Sequence, residues 1–383
     1  MTINDKLLEQ ILQFTASPFS PFYLYDTALL RQHCRMFHSI PYANKSIHFA
    51  SMANANSEFL SIVREEKMEV FVNSRMHLEK VMEVGYRGEN IIFTASALED
   101  ASMQMLHDKK VSLNLDSPEQ LKTWKRLFPG AAVGLRCNID DQAEGLSTHA
   151  GYFLGKESRL GFSMEELMAV SKDPIIRGLH LYVGTDIFDI RYFMACYRKL
   201  CEVSLEFPHL EFLNFGGGFG VAENGNRHLD FSAYRIEVAA LMEEISEKHG
   251  KSLKLILEPG RIIGGQAGYF VCRVTDIKIR NGKTLIGVNA SSSQFSRPLF
   301  YPDIARHPVA LLRQGSILHA DADAVTEASI YGCSTYSRDY LAKDVMLPEP
   351  RIGDVVILGN AGSYSASSYT QFLGFPQAEE FFV

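Results

Sequence analysis

Short apolar runs typical of buried strands alternate, over residues 46–260, with longer stretches whose apolar residues recur at helical spacing. The predicted strands span 46–52, 68–74, 90–96, 111–117, 131–138, 175–185, 210–218 and 254–260. The predicted helices between them include 57–65, 77–84, 118–127, 164–170, 190–207 and 231–249. Largely apolar strands that alternate with helices in this number predict an α/β fold with a parallel (β/α)₈ barrel, which fits better than a doubly wound open sheet.

The pattern changes after residue 261, where strand-like segments follow one another without long helices and are separated by Pro and Gly turns. These segments span 269–279, 283–289, 315–319, 354–359 and 378–383. They predict an antiparallel β domain, completed by a strand at 21–25. We therefore expect a barrel domain at 28–265 and a β domain formed by 1–27 and 266–383.

The composition is that of an ordinary globular enzyme, with 383 residues, 46% hydrophobic residues and 22% charged residues. The net charge is −7, and no block of Lys and Arg indicates a nucleic-acid partner. The amino-terminal pattern is an amphipathic helix without the basic start of a signal peptide, and no apolar run reaches the length of a membrane span. We expect a cytoplasmic protein without membrane or nucleic-acid partners.

The chain has six cysteines and twelve histidines, in no pattern that indicates a disulfide framework or a metal site. None of the cysteines forms a CxxC pair, and several lie within apolar patterns, as buried free thiols do. A reducing compartment and the absence of a dedicated metal site are expected. The cysteines are Cys34, Cys137, Cys196, Cys201, Cys272 and Cys333.

The last two barrel strands end in motifs that suit a phosphorylated ligand. The seventh ends in the consecutive residues Gly216, Gly217 and Gly218, and such runs let backbone N–H groups surround an anion, although a tight turn is the plain alternative. Barrels commonly hold phosphate groups after their seventh strand, which favours the ligand. The eighth ends in Glu258-Pro259-Gly260-Arg261, where the two charged residues could also form a simple ion pair.

These motifs resemble those of the fold-type III pyridoxal-phosphate-dependent decarboxylases, which act on ornithine, diaminopimelate or arginine and share the alanine racemase barrel. Residues 49–54, FASMAN, are similar to the family's Tyr-Ala-x-Lys-Ala-Asn. Residues 297–301, RPLFY, look like its Arg-Pro-x-x-Tyr, and 362–364, GSY, resemble its Gly-Ala-Tyr. The resemblance covers nearly the whole chain.

The resemblance implies a pyridoxal phosphate site, an amino-acid substrate and a homodimer with shared active sites. The implied contact to the pyridine nitrogen is Glu258, where a carboxylate keeps the ring protonated and able to accept electrons. Arg297 and Tyr301 would bind the substrate, with Arg297 at a carboxylate. The implied phosphate-side residues are Thr185, Gly216, Gly217, Gly218, Gly260, Arg261 and Tyr364.

The largest departure from the family is Met52, at the position of the lysine that links covalently to the cofactor. A thioether has no nitrogen to condense with an aldehyde. Lys45 lies seven residues earlier on the same predicted strand, at the opposite end of the barrel. Arg159 falls where relatives often have lysine, but a guanidinium stays protonated and is no substitute.

Other family positions have changed as well. Tyr182 replaces the histidine that stacks on the cofactor ring, which keeps an aromatic face. The family's Cys-Glu-Ser-Gly-Asp becomes residues 333–339, CSTYSRD, so that either Cys333 or Thr335 corresponds to the family cysteine. Tyr182, Cys333 and Asp339 are the candidates to transfer a proton.

Three functions compete. The first is an amino-acid decarboxylase that uses noncovalent pyridoxal phosphate and turns over slowly or depends on an adduct. The second is an inactive pseudo-enzyme that binds the cofactor, its amino-acid adduct or another phosphorylated ligand and acts as a regulatory or scaffolding subunit. The third is another reaction that stabilises a carbanion, such as racemisation. A retained Glu258 favours the enzyme, because a binding protein has no need of a carboxylate at the ring nitrogen.

Overall fold

The computed structural model describes residues 3–139, 153–221, 228–318 and 325–383. The chain divides into two compact units. The barrel unit comprises His33–Gly220 and His228–Ile262, and the sheet unit comprises Met1–Gln32, Val221–Arg227 and Ile263–Val383.

The barrel unit contains a closed ring of parallel strands, so the predicted barrel is confirmed. Each strand pairs with the next, and the last strand pairs with the first. The barrel strands are β2 (Lys45–Ala50), β3 (Glu69–Val72), β4 (Ile91–Thr94), β5 (Ser112–Leu115), β6 (Val133–Arg136), β7 (Ile176–His180), β8 (Phe212–Asn214) and β9 (Lys254–Leu257).

Helices follow most of these strands, and several begin at a side chain that caps the first turn. Asn56 accepts hydrogen bonds from the first backbone N–H groups of α3, and Ser163 and Glu166 form a capping box at α7. The described helices are α1 (Asp5–Thr15), α2 (Thr27–His38), α3 (Ser57–Glu65), α4 (Arg75–Glu83), α5 (Asp100–Asp108), α6 (Pro118–Leu127), α7 (Met164–Val170), α8 (Ile190–Ser204), α9 (Phe231–Lys248), α10 (Arg261–Gly264) and α11 (Arg297–Phe300).

The two faces of each barrel strand carry different residues, because successive side chains of a strand point in opposite directions. Phe49 of β2 packs against Phe59 of α3, with 5.4 Å between the ring centroids. Inside the barrel, a Cβ on Gly178 would lie 1.9 Å from the Phe212 ring, so this glycine leaves the room that the phenylalanine fills. His48, Asn214 and Glu258 therefore face the interior of the barrel.

The sheet unit contains a nine-stranded sheet in the order β13-β12-β16-β10-β11-β14-β15, with β1 paired to β10 and β17 paired to β1. Its pairings are antiparallel except those of β1 with β17 and of β11 with β14. The strands are β1 (Phe22–Tyr25), β10 (Gly268–Arg280), β11 (Lys283–Val288), β12 (Val309–Arg313), β13 (Ser316–Ile317), β14 (Val325–Tyr331), β15 (Tyr340–Pro348), β16 (Val355–Leu358) and β17 (Glu379–Phe382).

The core of this unit forms where α1 covers the sheet. Leu7 and Ile11 of α1 pack with buried residues of the sheet, among them Phe22, Leu24 and Ile357. The predicted β domain with a strand at 21–25 is thus confirmed, while the predictions omitted β12, β14 and β15. No helix in the described ranges is long and apolar enough to cross a membrane.

Candidate active site

Three side chains from consecutive strands converge at the carboxyl-terminal end of the barrel, where barrel enzymes place their chemistry. His180 ends β7, Asn214 ends β8 and Glu258 follows β9 directly. The Asn214 amide donates a 2.6 Å hydrogen bond to Oε1 of Glu258. Nε2 of His180 lies 3.4 Å from Oε2, a contact that is electrostatic rather than a well-formed hydrogen bond. All three side chains are buried.

The surroundings of Glu258 favour its charged form. Burial alone would raise the pKa of this carboxyl, but His180 and Asn214, with His48 as a further neighbour, lower that pKa below its ordinary value. A buried carboxylate in this state can accept a hydrogen bond from a protonated ring nitrogen. Glu258 therefore meets the chemical requirement that pyridoxal phosphate sets at its nitrogen.

The glycine run after β8 is required by the packing of the barrel. Gly216 and Gly218 have φ angles of 63° and 103°, which disfavour other residues. A Cβ on Gly216 would lie 2.3 Å from the Leu181 carbonyl oxygen, and one on Gly217 would lie 2.4 Å from that of Glu258. Part of the signal that indicated a phosphate loop thus reflects close contact between neighbouring strand ends.

The same loop also presents backbone donors. In the described part of the chain, no group accepts a hydrogen bond from the N–H of Gly217, Gly218 or Phe219. Gly217 and Phe219 are buried, and Gly218 between them is half-buried. Buried N–H groups are nearly always paired, so the donors of Gly217 and Phe219 favour an anionic ligand. The donor set at this strand end fits a phosphate group.

The other phosphate-side candidates lie near this end of the barrel unit. Gly260 is buried, and Arg261 begins α10 with its guanidinium paired to Asp186. Thr185, next to Asp186, is exposed on the segment that follows β7.

Arg136, the last residue of β6, interacts with Glu258 and with Tyr182, which lies two residues beyond β7. Tyr182 is half-buried, and its ring meets Phe153 edge-on with 5.0 Å between the centroids. Burial lowers the pKa of Arg136, while the charges of Asp116 and Glu258 and the nearby Tyr182 oppose that shift. These side chains could bind the ring and a second anionic group of a ligand.

Met52 lies two residues beyond β2 and is half-buried. The two alternatives to a covalent lysine are engaged elsewhere. Nζ of Lys45, at the start of β2, donates to the Tyr42 carbonyl at 2.9 Å, and Arg159 donates to Oγ of Ser96 at 3.0 Å. Neither provides an amine next to Met52.

The remaining predicted residues belong to the sheet unit. Arg297 is buried at the start of α11, and Tyr301 is exposed just after it. Tyr364 has a φ angle of 54° and is half-buried. How these residues contribute to the site stays a prediction.

Cys333 and Asp339 differ in their exposure to solvent. Cys333 is exposed, and partial burial together with Asp339 raises the pKa of its thiol. Asp339 is buried, and its carboxylate accepts hydrogen bonds from the backbone N–H groups and hydroxyls of a surrounding turn. The donors are Ser291 Oγ at 3.3 Å, Ser292 N at 2.6 Å, Ser334 N at 3.1 Å and Ser334 Oγ at 2.5 Å.

This geometry argues against Asp339 as a proton donor. Four donors occupy the acceptor positions of its two oxygens, and the residue holds the turn at Ser334 against Ser291 and Ser292. The role of Cys333 as a proton donor stays a prediction; its raised pKa keeps the thiol protonated at neutral pH.

Sequence reasoning gave no role to His48 and His180, the two imidazoles near Glu258. The positions of these histidines in the sequence could have indicated a role. His180 lies two residues before Tyr182, and His48 lies four residues before Met52, so each lies on the strand that leads to a residue of the site. Clusters of His, Cys, Asp and Glu suited to a metal ion are absent from the described residues.

Comparison with known proteins agrees with this geometry. The family model described as pyridoxal-dependent decarboxylase, pyridoxal binding domain, matches residues 27–265. Diaminopimelate decarboxylase of Methanothermobacter thermautotrophicus is 27% identical over 387 residues, which covers 95% of this chain and 86% of that protein.

Two solved structures show the same fold. Diaminopimelate decarboxylase from Helicobacter pylori, complexed with L-lysine, matches with a TM-score of 0.82 and 22% identity over 98% of this chain and 93% of that one. Lysine/ornithine decarboxylase from Vibrio vulnificus, complexed with putrescine, matches with a TM-score of 0.83 and 19% identity over 100% of this chain and 99% of that one. Because the family model spans more than half of its length, the chain belongs to the pyridoxal-dependent decarboxylase family.

Proposed function

We propose that the protein is an amino-acid decarboxylase that uses pyridoxal phosphate without a covalent link to the protein. The observation that carries the proposal is the state of Glu258, a buried carboxylate whose lowered pKa keeps it charged between Asn214 and His180. A protein that only bound a phosphorylated ligand would gain nothing from this buried charge, which is unfavourable unless it is paired.

Each part of the cofactor has a candidate partner. The N–H groups of Gly217, Gly218 and Phe219 would hold the phosphate, together with residues around Gly260 and Tyr364 as in the family. Glu258 would hold the ring nitrogen. Pyridoxal phosphate, when bound, supplies an electron-poor ring that accepts the electron pair left behind when a carboxylate leaves as CO₂.

The chain's own residues limit the rate. Met52 offers no amine to exchange the cofactor between protein and substrate, so we expect slow turnover. Arg297 would fix a substrate carboxylate, and the protonated thiol of Cys333 would supply a proton. In the family this cysteine serves the partner's site, so the proposal includes a homodimer.

For the substrate, only a chemical class can be proposed. The relatives named above act on diaminopimelate, lysine or ornithine, all of which carry two amino groups. We propose a diamino acid, bound with a carboxylate at Arg297 and Tyr301.

Met52 itself favours a second candidate, an inactive protein that binds pyridoxal phosphate or its amino-acid adduct. Its role would be to regulate or scaffold an active relative. Both candidates require the phosphate loop, but only the enzyme needs the charge of Glu258, and product formation distinguishes the two.

A titration separates the candidates. Purified protein is titrated with pyridoxal phosphate in the presence and absence of diaminopimelate, lysine, ornithine or arginine. The absorbance of the cofactor and the release of CO₂ and amine are followed together. An absorbance change that requires the amino acid and is followed by product supports the enzyme. Saturable binding without product supports the binding protein, and no binding contradicts both.

The control is Glu258→Gln, which keeps the size of the side chain and its acceptor for the Asn214 amide. The enzyme proposal expects this variant to bind pyridoxal phosphate through the phosphate loop but to lose product formation. Equal product formation by both proteins would contradict the role of Glu258.

A further inference from the structure

A second pair of titratable groups, one buried and one half-buried, lies on neighbouring strands of the barrel. His48, in the middle of β2, is 2% exposed. Its Nε2 lies 2.9 Å from Oε2 of Glu69, the first residue of β3. The side chain of Glu69 is 29% exposed, so it connects the barrel interior with solvent at the amino-terminal ends of the strands.

The register places His48 next to Glu258. Ile47 of β2 pairs with Leu257 of β9, so the following residues, His48 and Glu258, occupy the next position of the same ladder. The pairing continues beyond them, because the Ala50 N–H donates a 3.0 Å hydrogen bond to the Pro259 carbonyl. His48 thus lies between two carboxylates, one on each neighbouring strand.

The contacts of His48 suit a charged imidazole. Nε2 faces the Glu69 carboxylate and lies 3.0 Å from Oγ of Ser46, and Nδ1 lies 3.4 Å from the Val70 carbonyl oxygen. A neutral imidazole has a single N–H, whereas an imidazolium donates from both nitrogens. A carboxylate on one side and a carbonyl oxygen on the other both require a donor.

Charges of opposite sign therefore follow one another through the barrel interior. Lys254, the first residue of β9, acts on Glu69, and Glu69 pairs with His48. His48 in turn acts on Glu258. Burial would raise the pKa of Glu69, but His48 and Lys254 lower it, so that this carboxyl stays charged at neutral pH.

We propose that His48 and Glu69 are positioning residues for Glu258, and that Glu69 holds a proton on His48 whose charge keeps the Glu258 carboxylate ionised. The inference rests on the proposed role of Glu258 at the ring nitrogen. Its consequence is that the proton of the hydrogen bond between Glu258 and the ring stays on the ring, because a less basic carboxylate competes less for it. Among the residues that the structure describes, the other groups that act on Glu258 are His180, Asn214 and Arg136.

The test measures protonation in the protein without cofactor. The ¹⁵N resonances of the His48 ring report its charge, and the ¹³C resonance of the Glu258 carboxyl reports its titration, each assigned with a substitution at that residue. We expect an imidazolium at neutral pH in the unaltered protein. The midpoint is the pH at which half of a group is protonated in the NMR titration. Glu69→Gln is expected to lower the midpoint of His48, and His48→Asn to raise the midpoint of Glu258, each by about one pH unit.

The matched control is His249→Asn, which removes a half-buried histidine of the same unit that contacts Oγ of Ser204 and lies outside the barrel interior. It should leave both midpoints unchanged. Circular dichroism checks that each variant folds, and the half-exposed position of Glu69 keeps the test available if His48→Asn does not fold. A neutral His48 at pH 7, or a Glu258 midpoint that is equal with and without the His48 charge, would overturn the proposal.

Binding of pyridoxal phosphate to the same proteins separates this inference from the proposed function. Coupled midpoints in a protein that binds no cofactor would support the charge coupling and contradict the proposed function. Cofactor binding with uncoupled midpoints would support the proposed function and overturn the coupling.

Discussion

Replacing Asp339 by Ala tests whether this residue stabilises the fold or takes part in chemistry. The carboxylate is 3% exposed and accepts bonds from the N–H groups of Ser292 and Ser334. The two serine hydroxyls that also bind it can rotate toward other acceptors, but the two backbone donors cannot. Each buried donor left without a partner costs about 1–3 kcal/mol, so we expect a loss of about 4 kcal/mol in the free energy of unfolding.

The assay is urea unfolding followed by circular dichroism, with the unfolding free energies compared between variants. Asp339→Asn keeps one oxygen but turns an amide donor toward the serines, and it should lose about half as much. Arg338→Ala is the control, because the neighbouring side chain is exposed. A change below about 1 kcal/mol for Asp339→Ala would refute the structural role. Loss of product formation at unchanged stability would restore Asp339 as a proton donor.

Three further predictions concern the barrel unit. Gly216→Ala should lower the free energy of unfolding in urea by about 3 kcal/mol, because a left-handed backbone is combined with a clash at the Leu181 carbonyl. The control is Gly250→Ala, at a glycine with φ 67° and open space around it, which should lower that free energy by only about 1 kcal/mol. The lowered pKa of Glu258 contributes stability that is present above the ordinary carboxyl pKa and is lost as pH falls through the pKa of the folded protein. Glu258→Gln should therefore reduce the loss of unfolding free energy at acid pH. An unchanged loss at acid pH would contradict the charge assigned to Glu258. Met52→Lys should create a covalent link to pyridoxal phosphate that borohydride traps as a mass increase absent from the unaltered protein; no increase would mean that the cofactor does not reach this position.

The barrel was predictable because its signals are local. The helices α3 and α6 have the predicted bounds, since each combines a capping residue, Asn56 or Ser117, with apolar residues at helical spacing. The strand β15 was missed for the opposite reason. Most of its residues are exposed or half-exposed, so the chain carries no apolar run there. Its place is decided by pairing with β14, which sequence spacing does not reveal.

The site was predictable only in part. The motifs that contain Glu258 and Gly216 could be read along the chain, since their residues are contiguous. The neighbours that set the charge of Glu258 could not, because His48 and His180 come from strands that meet only when the barrel closes. The hydrogen bonds that occupy Asp339 also join segments distant in sequence, so the acidic residue gave no warning of a structural role.

The pairing of β1 with β10 bears on the order in which the protein folds. Phe22 lies opposite Val271, and the residues of the barrel unit fall between them in the chain. During synthesis β1 therefore emerges early but has no antiparallel partner until β10 follows, whereas each barrel strand can pair soon with the next one. An unpaired apolar strand is a site for aggregation. Slowed or interrupted translation after the barrel should expose β1, and the burial of Phe22 and Leu24 would mark the completion of the sheet.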